Sequence, residues 1–188
     1  DQDVAHWQKF GAIGDDTVDD TAAITAALNS NIHNEMGRGT YRVTGSLAKT
    51  LTLGQEAFSI SGEGPRDSVI SVDIATADEV LDLVNCVSFS LREFSIRKRS
   101  NPTVPGDFIS IRFGDSQLCT IDNVKVTGAG VGAAFDQIVS GSIMGKVNQL
   151  GLRYCKIGFT ASSWSSVKGT IHVENCTVKP YQIANSDN

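Results

Sequence analysis

No stretch of this chain approaches the roughly 20 consecutive apolar residues of a membrane span, so no membrane insertion is expected. Basic residues are outnumbered: 16 Lys and Arg stand against 21 Asp and Glu, giving a net charge of −5 and arguing against a general nucleic-acid binder. The four cysteines, Cys86, Cys119, Cys155 and Cys176, show no CxxC spacing and no partnered histidine cluster. His6, His33 and His172 lie far apart, so neither a metal site nor a cofactor is expected. There is no glycine-rich phosphate loop and no nucleophile elbow. Neither an initiator methionine nor a signal peptide opens the chain, so Asp1 is expected to be a processed or internal start. What is present is 188 residues, 40% of them hydrophobic, enough for one globular core, with 18 glycines suited to a fold rich in turns.

Four eight-residue segments share one pattern: FSLREFSI from Phe89, CTIDNVKV from Cys119, LGLRYCKI from Leu150 and IHVENCTV from Ile171. Apolar residues or cysteines fill positions one, three, six and eight of each. A partial copy, FSIS from Phe58, precedes them and breaks into Gly62-Glu63-Gly64. Alternation within each half is that of a strand with one buried face, and the break of parity between halves implies a bend. Strands repeating at intervals of roughly 20–30 residues point to a parallel β-solenoid, whose coils bury their faces only against one another. Stacked in this frame, Phe89, Cys119, Leu150 and Ile171 form one interior column, and Phe94, Val124, Cys155 and Cys176 another. The cysteines then read as free thiols serving as small core residues, with a bridge between the stacked Cys155 and Cys176 as the alternative.

Residues 10–28 read FGAIGDDTVDDTAAITAAL. Asp19, Asp20 and Thr21 supply an N-cap and negative charge for a helix with Ile24, Ala27 and Leu28 on one side, ending near Asn29-Ser30-Asn31. Laid across the first coil, it would cover an open core. This stretch resembles the opening motif of the pectate-lyase-like superfamily. Phe10, Gly11, Ala12, Gly14, Asp15, Asp19, Asp20 and Thr21 match, and Asp16 stands where a glycine is usual, a change expected only to alter the turn. RGTYRVTGSL and FSISGEG look like that superfamily's first strand and first full coil. The resemblance implies an all-β, right-handed parallel β-helix with a short N-terminal capping helix. Residues 1–45 would form the opening motif, cap and first strand, and residues 46–188 the coils. Within the superfamily the chain looks most like bacteriophage tailspike and tail-fibre depolymerases. The Asn-Thr-Asp, paired Asp-Asp and Gly-His-Gly phrases of polygalacturonases are missing from the coils.

At position four the outward residues are Arg92, Asp122, Arg153 and Glu174. In the expected stack they read as a surface salt-bridge ladder. Their functional alternative makes Asp122 and Glu174 a catalytic carboxylate pair roughly 9–10 Å apart, with Arg153 between them holding both ionised. At position five Glu93, Asn123, Tyr154 and Asn175 fall on the bend, where Asn tolerates a left-handed backbone. Arg97-Lys98-Arg99 is expected as a loop, either solvated or contacting an anionic polysaccharide. Trp164, among serines, either stacks on a sugar ring or covers a turn or a neighbouring subunit. His172 points outward at position two, with no metal ligand beside it in register.

The resemblance implies a virion component, a homotrimer associated with other tail proteins, that recognises host capsule or O-antigen polysaccharide and in its full length degrades it. Alternatives are a secreted polysaccharide lyase or glycoside hydrolase, and a non-catalytic adhesive module. Tailspikes of this kind place acid and base on later coils, so no complete active site is expected in this chain. The last coil has no helix to match residues 19–31, so further chain or neighbouring subunits are expected to cover it.

Overall fold

The computed structural model describes residues 4–30, 32–50, 57–74, 78–85, 88–114, 118–136, 144–162, 166–176 and 179–184. The chain opens with β1 (Ala5–His6), a short 3-10 helix (Trp7–Phe10), β2 (Asp15–Asp19) and α1 (Thr21–Ser30). Short strands follow: β3 (His33–Glu35), β4 (Gly39–Val43), β5 (Leu47–Thr50), β6 (Phe58–Ser61), β7 (Ser68–Val72) and β8 (Glu79–Val84). Long and short strands then alternate: β9 (Ser88–Lys98), β10 (Ile109–Gly114), β11 (Leu118–Thr127), β12 (Val131–Asp136), β13 (Met144–Arg153), β14 (Ile157–Ser162), β15 (Ser166–Glu174) and β16 (Lys179–Ala184).

Every strand pair is parallel among the described residues, and neighbours in each sheet are one coil apart in sequence. One sheet runs β1-β3-β6-β9-β11-β13-β15, the other β5-β8-β10-β12-β14-β16. The fold is a parallel β-helix. β9 is where the first sheet fuses, because its first half pairs with β6 (Phe58↔Phe89) and its second half with β7 (Ile70↔Ile96). The Gly62-Glu63-Gly64 turn is therefore an insertion at a corner that the next coil rounds with Glu93 alone: Gly62 N–H donates to Arg92 O and Gly64 N–H to Glu93 O.

Between the sheets lies one apolar core. Phe89 packs on Phe58 of the coil before, edge to face at 5.6 Å, and on Phe113 of the opposite sheet at 5.7 Å. Leu91, Phe94, Ile96, Ile111, Ile121, Val124, Val126, Leu150 and Leu152 are fully enclosed.

The expected columns hold within the first two coils and within the last two, and break at the step between them. Phe89 stacks on Cys119 and Phe94 on Val124, but Cys119 then meets Gly145, while Leu150 sits under Val124 and Ile171 under Leu150. The cause is that the long strands carry two corners of the same local form. Glu93 and Asn123 take left-handed φ of 58° and 49° at the first corner; Tyr154 and Asn175 take 52° and 55° at the second, beside Gly128 at 79°. Each corner places an outward residue, then a left-handed one, then an inward one, so both write the same eight-residue phrase. FSLREFSI turns at the first corner and LGLRYCKI at the second. Cys155 accordingly stacks below Ala129, not Val124, with Cys176 next in the column: Gly128 N–H donates to Arg153 O, Tyr154 N–H to Glu174 O and Lys156 N–H to Ala129 O. At the first corner β15 is one residue shorter than β13, and Gly169 closes against the Val147 carbonyl, where a side chain has no room.

α1 caps the first coils with Ile24, Ala27 and Leu28 buried, as the sequence predicts. Its C-terminus is held from within the solenoid. Lys49 faces inward with Leu47, is 8% exposed, and donates from Nζ to Leu28 O at 2.6 Å, with its ammonium 5.7 Å from the Phe58 ring centre. Burial lowers its pKa. Below the helix, Trp7 meets the Tyr41 ring edge-on at 5.3 Å, and the Tyr41 hydroxyl donates to Gly37 O and accepts from Gln8 Nε2.

Cys119, Cys155 and Cys176 are free thiols, and Cys86 lies outside the described residues. Burial pushes Cys155 up to about 12, the neighbouring Cys176 adding to the rise; burial and the Asp20 carboxylate push Tyr41 to about 12 as well. Both groups fold as neutral acids. Their contribution is whole below the ordinary thiol and phenol pKa values of 9.0 and 10.0 and is lost as pH climbs toward about 12. Denaturant unfolding under reducing conditions should show stability falling from about pH 9 upward. Cys155→Ala, which repeats Ala129 of the coil above, should fall less steeply; equal slopes would mean the thiol is not enclosed as described.

Candidate functional site

The opening motif is fixed by its own hydrogen bonds. Asp20 is 1% exposed and accepts from Ile13 N (2.7 Å) and Gly14 N (3.1 Å), so its side chain closes the loop before the helix instead of capping it. Asp19 does the capping: it accepts from Thr21 N at 3.0 Å and from the hydroxyls of Thr21 and Thr44. Partial burial would raise the Asp19 pKa, but these hydrogen bonds outweigh it and draw the pKa down. Asp15 is lowered by its bonds from Val18 N and Thr17.

Asp16 does more than alter a turn. It sits at φ 63°, which explains why glycine is usual there, and its carboxylate reaches Arg99 Nε at 3.3 Å and Arg97 at 3.8 Å, more than eighty residues along the chain. Arg99 also donates to Asp16 O at 2.8 Å and approaches Asp73, which pairs with Arg42 at 2.8 Å. The expected loop of Arg97, Lys98 and Arg99 is corrected accordingly. Arg97 and Lys98 end β9, both arginines are taken up in a network tying the opening motif to the third layer of strands, and Lys98 Nζ donates to Val104 O at 3.1 Å. Three cations that looked available to a polyanion are already engaged. Trp164 lies outside the described residues.

The charge ladder is likewise corrected. Asp122 stands opposite Arg92, and Arg153 opposite Glu174, bonded at 2.9 Å, but Arg153 is level with Thr127, not with Asp122. The change of corner splits one ladder into two pairs. It also moves Glu174 two strands and five residues from Asp122, a separation on the order of 15 Å or more. That exceeds the roughly 5–9.5 Å between the carboxyls of retaining and inverting glycosidases.

What the register does assemble is a groove of about 530 Å³ on the outer face of the second half of β11, β13 and β15. Asn123 and Gln149 line one side, Lys125, Gly151 and His172 the middle, and Thr127, Arg153 and Glu174 the other. Sequence reasoning singled out Glu174 and noted His172, but passed over Lys125 and Gly151. A glycine inside a strand, at a position other coils fill, was the available signal. A second depression of about 370 Å³ lies over β3, β6 and β9, lined by His33, Glu35, Arg92 and several serines, with His33 Nδ1 2.9 Å from Ser59 Oγ. No three His, Cys, Asp or Glu gather as metal ligands among the described residues.

No family model matches the sequence, and no curated protein matches it. Solved structures do match its fold, two of them as follows. ORF18 of Geobacillus virus E2 superposes with a TM-score of 0.59 at 15% identity, over 97% of this chain and 40% of that one. The second is Pantoea stewartii WceF, described as a glycan biofilm modifying enzyme with a bacteriophage tailspike-like parallel β-helix fold. Its TM-score is 0.53 at 13% identity, over 96% of this chain and 39% of that one. This chain has a tailspike-like parallel β-helix fold. It spans about 40% of the length of either β-helix protein it matches.

The conformational cost of the Asp16 position in this β-helix can be separated from its ion pairs. Asp16→Gly removes the carboxylate but suits the left-handed backbone; Asp16→Ala removes it and keeps the strain. Surface pairs contribute roughly 0.2–1 kcal/mol each, and a left-handed non-glycine residue costs roughly 1–2 kcal/mol. In denaturant unfolding Asp16→Ala should therefore be less stable than Asp16→Gly by about 1 kcal/mol. The reverse order would show that the turn is not left-handed.

Proposed function

We propose that this chain is part of a phage tailspike or tail-fibre protein, a virion component that recognises host capsule or O-antigen polysaccharide along the outer face of its long sheet. The observation that carries this is the groove over β11, β13 and β15, open along the stack and walled by hydrogen-bonding side chains: Asn123, Gln149, Thr127, Arg153 and His172. Such a surface suits a polyhydroxylated chain lying across successive coils. The fold likeness to a phage protein and to a glycan-modifying enzyme supports the same reading. A homotrimer, in contact with other tail proteins, is part of the proposal.

A second reading, a secreted glycan-cleaving enzyme, is favoured by the likeness to WceF. Against cleavage within this stretch, Glu174 in the groove is bound by Arg153 at 2.9 Å, and among the described residues no second carboxylate lines the groove with it. Acid and base together are needed for glycoside hydrolysis.

Immobilised capsule and O-antigen polysaccharides, probed with the purified chain, distinguish these readings. Binding without release of reducing ends is expected. Reducing ends that disappear in Glu174→Gln would establish the enzyme reading, and failure to bind any polysaccharide in the panel would overturn both.

A further inference from the structure

We propose that the groove over β11, β13 and β15 takes a carboxylate-bearing sugar, with the Lys125 ammonium and the His172 imidazole as its walls and Gly151 as its floor. This deepens the polysaccharide reading above and rests on it. Lys125, Gly151 and His172 are direct register neighbours on three successive strands, so the two side chains flank a gap spanning two strand spacings, roughly 10 Å, with no side chain between them. A sugar ring lying across that notch would contact both side chains.

Gly151 is not required by the backbone. Its φ is not in the left-handed region, and a Cβ added there would meet Lys125 Cγ at 3.4 Å, an ordinary contact. The strand would accept a larger residue, and a glycine weakens it. What the missing side chain provides is a lower floor to the groove, onto which the Lys125 stem leans.

The charge pattern favours an anion. Arg153 and Glu174 neutralise one another along one wall at 2.9 Å. Among the described residues no carboxylate pairs with Lys125, which lines the groove with His172 two strands away. The arginines of the neighbouring face are engaged by Asp16 and Asp73. On a chain of net charge −5 this is a local cationic spot in a polar trough. A uronate or similar acidic sugar would place its carboxylate on Lys125 Nζ and a ring N–H of His172, and its hydroxyls on Gln149, Asn123 and Thr127.

The test is a binding titration of the whole chain against acidic and neutral bacterial polysaccharides and carboxyl-reduced forms of the acidic ones. Acidic members should bind and weaken with added salt. Carboxyl reduction and Lys125→Gln should each weaken binding about tenfold, as expected for loss of one charge-assisted hydrogen bond. Gly151→Thr should weaken binding at least as much while leaving the melting temperature unchanged or higher, which a damaged fold would not do. Preference for neutral polysaccharides, or acidic binding indifferent to carboxyl reduction and to both variants, would overturn the acidic-sugar site while leaving polysaccharide recognition standing. No binding to any polysaccharide would overturn both.

Discussion

Everything in this molecule depends on each coil setting its inward residues on those of the coil before. Parallel hydrogen bonds fix strands in one register, and apolar columns such as Phe58–Phe89–Cys119 and Phe94–Val124–Leu150–Ile171 make any other register costly. Loop lengths adjust to this constraint. A ten-residue connection between β9 and β10 becomes Gly128-Ala129-Gly130 in the next coil and Tyr154-Cys155-Lys156 in the one after, yet β10, β12 and β14 remain level. The first coil is exposed to the same demand, and α1 meets it, held by the buried Lys49 ammonium on the Leu28 carbonyl.

The alternation in Phe89–Ile96 and Cys119–Val126 made the strand, its bend and the solenoid legible, and the Gly-Asp-rich opening made the cap legible. Glu93, Asn123, Tyr154 and Asn175 are all left-handed, as the parity break implied. The assignment of corner was not legible. Leu91-Arg92-Glu93-Phe94 and Leu152-Arg153-Tyr154-Cys155 have the same chemistry because both satisfy the same backbone geometry, and a local pattern cannot say which of two equivalent corners it rounds. Only the shorter return from Tyr154 to β14 distinguishes them. The consequence reaches the site, because Leu150 under Val124 splits the ladder and parts Asp122 from Glu174.

Electrostatics divide the outer surface into two regions with different uses. Over β2, β4, β7 and β9, opposite charges from distant parts of the chain pair off, and Asp16 shows how a departure from a turn-forming glycine becomes a tie across coils. Over β11, β13 and β15 the pairing is incomplete and a glycine opens the surface. The first arrangement holds the solenoid together; the second leaves an unfilled, polar, locally cationic trough suited to a ligand that follows the stack.

The register itself is tested most directly by cross-linking on the outer face, where added thiols do not disturb the core. Parallel neighbours stand roughly 4.8 Å apart, within the span of a disulfide, whereas Asp122 and Arg153 are on the order of 15 Å apart in the register described. Under mild oxidation, with products read by mass spectrometry, the double variant Arg92→Cys/Asp122→Cys should cross-link within the chain and Asp122→Cys/Arg153→Cys should not. A disulfide in the second variant would place Leu150 under Cys119 and contradict the account of the fold and of the groove built on it.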